Sequence, residues 1–287
     1  MTPTLSVVIP VYNDPEGIRD TLQSLVNQDA SADQFEILVV DNDSTDGTPA
    51  VIEEFESQYP DLVTGLEETE IQSSYAARNT GIEHASGELI GFLDADVTVD
   101  ETWVEDVIER FEETDVDYLG CNVEMYIPEG EDTFWARYDK AMGLPVEHYL
   151  KEKNFAPTAA LVSRSVIFES VGAFDTGLIS GGDKEFGQRV FEADYNLFFE
   201  REVIANHPTR TTFQDHKKKS IRVGRGQFQL WKNHDVGSHP FSPLRIMPPN
   251  PQRLVKRGNE NFKIRYYPIA YFLKLIQFLG GLKEYTI

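Results

Sequence analysis

Short apolar runs alternate with segments of helical period along the first part of the chain. Leu5–Ile9 is an apolar, β-branched run flanked by polar residues and proline, which reads as a short buried strand. Gly17–Asn27 follows with Ile18, Leu22, Leu25 and Val26 on one helical face, and Phe35–Val40 is a second strand. Pro49–Tyr59, Tyr75–His84 and Thr102–Glu112 carry the helical period, and Gly87–Leu93 reads as a strand between the last two. Strands rich in Val, Ile and Leu that alternate with helices predict an α/β fold, with a mostly parallel central sheet flanked by helices. Beyond residue 115 the pattern loosens. Val116–Val123, Ala159–Val162 and Leu197–Phe199 suit strands, Lys184–Glu192 a helix, and Thr133–Leu150 an aromatic-rich helical or loop segment. No repeat or low-complexity tract interrupts this, so one compact domain with a helical or irregular C-terminal extension is expected.

Charge divides the chain more sharply than hydropathy does. Residues 1–200 hold 10 basic and 43 acidic side chains, whereas residues 201–287 hold 16 basic and five acidic ones. The overall formal charge of −22 argues against binding nucleic acid backbones. The basic rear predicts an anionic partner such as phosphate groups or an acidic membrane face. No apolar run reaches the length of a transmembrane helix. The nearest, residues 268–281, is interrupted by Lys274 and Gln277 and suits either a core or a membrane interface, with Lys256, Arg257, Lys263, Arg265 and Lys283 around it. The N-terminus lacks the basic and long apolar regions of a signal peptide. The single cysteine, Cys121, reads as a core residue.

Two strand ends carry carboxylates. Val39-Val40 runs into Asp41-Asn42-Asp43-Ser44-Thr45-Asp46-Gly47, and Gly87–Leu93 runs into Asp94-Ala95-Asp96. In an open α/β sheet these ends are where ligands bind. The turn after the first strand, Pro10-Val11-Tyr12-Asn13-Asp14, has no glycine-rich fingerprint, which excludes a Rossmann-type pyrophosphate cradle. A divalent cation held by Asp94 and Asp96 is the alternative way to neutralise a diphosphate. An Asp-x-Asp pair alone is weak, because aspartates are ordinary turn and capping residues.

The sequence resembles the inverting family-2 nucleotide-sugar glycosyltransferases with the GT-A fold. The resemblance rests on residues 5–13, 37–48, 76–82 and 87–96, then Val171-Gly-Ala-Phe-Asp175, residues 181–189, His207 and Arg222-Val-Gly-Arg-Gly226, in the family's order. It implies a GT-A domain over residues 1–226, with a nucleotide-sugar half at 1–115 and an acceptor and catalytic half at 116–226. Residues 227–287 would form a basic, aromatic-rich extension that touches membrane. Pro10, Tyr12, Asp41, Asn42, Asp43, Arg78, Asp94, Arg222 and Arg225 are then expected to bind the nucleotide sugar. Asn42 stands where much of the family has Asp. Asp94, Asp96 and His207 would hold Mn2+ or Mg2+, and Asp183 would be the general base, although Gly182 replaces the acidic neighbour common in the family.

The implied reaction moves a sugar, with inversion, from a nucleotide sugar (a UDP-sugar favoured) to a hydroxyl or phosphate of a polyprenyl-linked or other envelope glycan. A nucleotidyltransferase, or a non-catalytic carbohydrate- or membrane-binding protein on the same fold, is the alternative. The acidic front and basic rear predict a cytoplasmic location, peripheral on the inner membrane face.

Overall fold

The computed structural model describes residues 2–239, 242–250 and 264–285. The chain forms two compact units. The first comprises Met1–Glu124, Val146–Thr176 and Phe186–His207, and the second Met125–Pro145, Gly177–Glu185 and Pro208–Ile287.

The sheet is built from β1 (Leu5–Val11), β2 (Phe35–Asp41), β3 (Val63–Glu67), β4 (Leu89–Leu93), β5 (Thr98–Val99), β6 (Tyr118–Tyr126), β7 (Ala160–Arg164) and β8 (Leu197–Pro208). Their order is β3-β2-β1-β4-β7-β6-β8-β5. The first four are mutually parallel. β7 runs antiparallel to β4 and to β6, and β5 antiparallel to β8. Every residue of β1 is buried, which is why its sequence is apolar but for Ser6 and does not alternate.

Helices α1 (Pro15–Val26), α2 (Thr48–Gln58), α3 (Ser74–His84) and α4 (Trp103–Glu113) follow the strands of the first half. α1 opens with the Asp14 carboxylate accepting the Gly17 N–H and with Pro15 in its first turn, where a missing N–H costs nothing. α4 buries Trp103, Val104, Val107, Ile108 and Phe111 along one stripe. Cys121 is fully buried, and burial pushes its thiol up to about 12. Further on come α5 (Phe134–Met142), α6 (Val146–Lys153), α7 (Val166–Val171) and α8 (Gly182–Glu192).

The second unit contains α5 and two long helices, α9 (Phe213–His234) and α10 (Tyr267–Tyr285). α9 runs through residue 226 as one element. A Cβ on Gly224 would sit 1.8 Å from the Gln277 carbonyl oxygen, and one on Gly280 would sit 2.6 Å from that of Ile221. Glycines at the crossing therefore let the two helix backbones touch. Beside the crossing, Tyr138 and Ala141 of α5 pack with Tyr266, Ala270 and Leu273 in a hydrophobic cluster. The apolar residues expected at 268–281 thus serve a core on one face of α10. Among the described residues no helix is long and apolar enough to cross a membrane. Lys256, Arg257 and Lys263 lie outside the described residues.

Candidate active site

In the first unit, the C-terminal ends of β1 and β2 are laced together. The Asn42 N–H donates to the Val11 carbonyl (2.9 Å), the Asn13 N–H to Ser44 Oγ (2.9 Å), and the Thr45 N–H to Asn13 Oδ1 (2.8 Å). Asn13 and Asp43 adopt positive φ, 50° and 64°, a region that Asn and Asp tolerate better than other non-glycine residues. Pro10 is buried beneath this turn, while Tyr12 is exposed with its ring available for stacking. Asp41 is buried, and its Oδ1 accepts the Ser44 N–H at 3.3 Å.

Asn42, expected against the base, is tied to the segment that follows β3. It is only 3 % exposed, and its Nδ2 donates to the carbonyls of Glu68 and Ile71, both at 2.9 Å. Glu68 completes this clamp, because its carboxylate accepts the N–H groups of Glu70 and Ile71 and the Thr80 hydroxyl. These bonds hold the Glu68 carboxyl below the usual carboxylate range, with partial desolvation acting against them. Asn42 thereby fixes the segment that follows β3.

The carboxylates after β4 occupy a turn closed by the Val97 N–H donating to the Asp94 carbonyl at 3.1 Å. Thr21 pins the turn by donating to the Ala95 carbonyl at 2.9 Å. Asp94 Oδ1 receives Arg78 Nη2 at 2.6 Å; the arginine side chain is 4 % exposed and the aspartate's 38 %. Arg78 also donates to the Ser74 carbonyl, and its buried Nε has no hydrogen-bond partner. The guanidinium, expected to reach the base or phosphates, is engaged with Asp94 and orients it. Asp96 is half-buried in the same turn.

β5 starts immediately after that turn. Its antiparallel register with β8 pairs Thr98 with Asn206 and Val99 with Ala205. His207 follows Asn206 in β8. His207 is buried. The sequence gives no warning of this two-residue strand, because Thr98-Val99 after Asp-x-Asp is too short for a periodicity signal.

The chemistry of the donor set suits a hard divalent cation that arrives with a diphosphate. Asp94 and Asp96 offer oxygen donors at a half-exposed turn, and Arg78 already occupies one Asp94 oxygen. Among the described residues no group of three or more His, Cys, Asp or Glu forms a ready cage.

In the second unit, Asp183 lies in the first turn of α8, half-buried, with Oδ1 accepting the Lys184 N–H at 2.9 Å. Burial lowers the Lys184 ammonium pKa, and Asp183 beside it acts in the opposite direction. Glu185 is buried, with its Oε1 at 3.8 Å from Nδ1 of His234. Arg225 is engaged by α10: its Nε donates to Glu284 Oε2 at 2.6 Å, and Gln229 donates to the other oxygen of that carboxylate. Arg222, Lys217 and Lys218 are exposed on α9.

A buried ionic cluster unforeseen from sequence completes this unit. Asp139 accepts the Arg210 N–H at 2.8 Å and faces its guanidinium, with His216 at 4.0 Å. Burial raises the Asp139 pKa, but Lys219 and Arg210 outweigh it and hold the carboxyl below its ordinary value. Burial likewise depresses His216, with Asp139 opposing.

The model of glycosyl transferase family 2 matches residues 6–169, which include β1 through β4, the Asp94-Ala95-Asp96 turn and β7. The chain belongs to this family. The glycosyltransferase AglE of Haloferax volcanii is 41% identical over 229 residues, covering 80% of this chain and 74% of that protein. A dolichyl N-acetyl-α-D-glucosaminyl phosphate 3-β-D-2,3-diacetamido-2,3-dideoxy-β-D-glucuronosyltransferase of Methanococcus voltae is 24% identical over 242 residues, 77% of this chain and 71% of that protein. The mannosyltransferase PcManGT of Pyrobaculum calidifontis, solved with GDP-Man and Mn2+, superposes with a TM-score of 0.63 at 19% identity. The match covers 99% of this chain and 74% of that one. The chain is therefore a glycosyltransferase with the GT-A fold, as the resemblance implied.

Proposed function

We propose that this glycosyltransferase moves a sugar from a nucleoside diphosphate sugar to a hydroxyl or phosphate of a lipid-linked glycan, inverting the anomeric centre. The observation that carries the reading is the Asp94-Ala95-Asp96 turn at the end of β4, with Arg78 fixing one carboxylate and β5, the strand that follows the turn, paired to β8. Tyr12, Pro10, Asp41 and Asp43 surround the nucleoside end of the same sheet edge, with Tyr12 stacking on the base. Asn42 acts one layer out, by holding the Glu68–Ile71 segment as a wall of that pocket.

In this reading Asp94, Asp96 and His207 would hold a divalent cation, which when bound would offset charge on the leaving diphosphate. Asp183 accepts the proton of the acceptor hydroxyl as the new glycosidic bond forms and the bond to the diphosphate breaks. A carboxylate suits this role because it is ionised at neutral pH and takes the proton only as the oxygen commits to the sugar. Arg222 and Arg225 supply positive charge for the diphosphate; Arg225 must exchange its Glu284 partner to do so. The relative from Methanococcus voltae, named for a dolichyl phosphate-linked sugar acceptor, supports a polyprenyl-linked acceptor here. Such an acceptor sets the reaction at a membrane surface.

The test is release of nucleoside diphosphate from a panel of UDP- and GDP-sugars with Mn2+, with and without polyprenyl phosphate sugars. One donor is expected to turn over, faster with acceptor, and Asp183→Asn is expected to abolish the acceptor-dependent part. Turnover that ignores the acceptor, or transfer with retained anomeric configuration, contradicts the proposal.

A further inference from the structure

α10 has two unlike faces. Ala270, Leu273, Gly280 and Gly281 are buried, whereas Phe272 and Leu279 are 51 % and 57 % exposed with half-exposed Leu275 between them. The spacing 272, 275, 279 keeps these three on one stripe of the helix.

Beside that stripe runs a short segment that contains the 3-10 turn Pro243–Arg245 and exposes Leu244 (67 %), Ile246 (46 %) and Met247 (52 %). Its backbone is tied to α10 by side chains of the helix. Lys274 Nζ donates to the carbonyls of Leu244 (2.8 Å) and Met247 (2.7 Å), and the Tyr271 hydroxyl to that of Ile246 (2.9 Å). Partial burial lowers the Lys274 pKa accordingly. A lysine would ordinarily extend its ammonium into water, and here it instead anchors a segment whose apolar side chains face outward. Scattered exposed apolar residues are ordinary, but three on a short segment tied to a helix that itself carries an exposed apolar stripe mark an interaction surface.

Charge selects the occupant. The patch belongs to the sequence stretch 201–287, which holds 16 basic and five acidic residues, and Arg265 and Lys283 are exposed on or next to α10. A second copy would set like charge against like charge, whereas anionic headgroups complement it. No described helix can span a bilayer, so the contact is one of lying on the surface. We propose that this unit docks on an anionic lipid surface, with Leu244, Ile246 and Met247 entering between headgroups and Phe272 and Leu279 lying at the boundary. The inference rests on the lipid-linked acceptor reading and extends it by naming the docking surface.

The experiment is co-sedimentation of the full chain with vesicles of phosphatidylcholine, alone or mixed with phosphatidylglycerol. The chain is expected to pellet with the mixed vesicles and to stay in solution with the neutral ones. Leu244→Ser/Met247→Ser/Phe272→Ser should weaken that partition by about tenfold or more. Arg265→Glu/Lys283→Glu, which leaves the apolar patch intact, should also lose the anionic preference; this variant decides if the serine variant does not fold. Failure to pellet with mixed vesicles, equal binding to both kinds, or folded variants that pellet like the wild type would overturn the proposal. A lipid-free dimer abolished by the serine changes would assign the face to a second copy and overturn it too. Metal-dependent nucleotide binding, measured on the same preparations without vesicles, shows separately whether the transferase reading fails.

Discussion

Replacing Asn42 by Asp changes one side-chain nitrogen to oxygen, and the structure predicts a large effect from that single atom. Carbonyl oxygens only accept hydrogen bonds, so the two contacts of 2.9 Å to Glu68 and Ile71 require an NH2 group at this position. An ionised carboxylate there would lose both donations and set its charge against two carbonyl dipoles. Each accepting group left without a partner costs about 1–3 kcal/mol, so the change is worth about 2–4 kcal/mol, taking the low end for a partly buried site. At about 2–4 °C per kcal/mol for domains of this size, the melting temperature at neutral pH should fall by roughly 5–15 °C. The sign of the pH dependence follows. Burial and the carbonyls favour the neutral acid in the variant, raising its folded-state pKa above the unfolded value of about 3.9. The compensating stability is present below that value and lost as pH rises through the raised one. The gap between Asn42→Asp and wild type should therefore be largest at pH 7.5 and narrow toward pH 5. Calorimetry or circular dichroism melts read it directly, and a gap under a degree at pH 7.5, or one independent of pH, would refute the clamp.

Other changes probe separate parts of the molecule. Arg78→Lys keeps the charge but loses the planar contact that holds Asp94, and should reduce kcat/KM for the donor by about 10- to 100-fold, as steady-state kinetics can measure. Gly224→Ala drives a methyl into the Gln277 carbonyl and should separate α9 from α10, costing about 2 kcal/mol or more and exposing α10 to limited proteolysis. His216→Phe tests the buried imidazole. Its depressed pKa means that stability is complete above about pH 6.5 and falls as pH drops through the lowered value, so the phenylalanine variant should lose that part of the acid destabilisation between pH 7 and 5.

The half built on β1, β2 and β4 was legible because these strands are almost wholly buried and so written as predominantly apolar runs, each ending in polar residues. β3 carries no such signature, because only Val63 is buried and Gly65 interrupts it, which leaves no periodicity to find. α9 was hidden for a different reason. It buries His216, Gly224, Gly226, Phe228 and Leu230, and glycine at a helix crossing reads in sequence as a break and not as an interface. The carboxylates of the site were visible as residues, but their partners were not. Arg78 reaching Asp94, Asn42 reaching two carbonyls and β5 pairing with β8 are long-range contacts with no local signature.

In the proposed reaction, binding and chemistry divide between Asp96, which would hold the cation on the diphosphate, and Asp183, which would take the proton. Calorimetric titration of the nucleoside diphosphate, paired with donor turnover on the same samples, tests it most directly. The wild type should bind only with Mn2+ present, Asp96→Ala should lose that binding, and Asp183→Asn should bind as the wild type does while turning over at least about 100-fold more slowly, a ratio typical of a lost general base. Asp183→Asn turning over at the wild-type rate, or Asp96→Ala binding unchanged, would contradict the account.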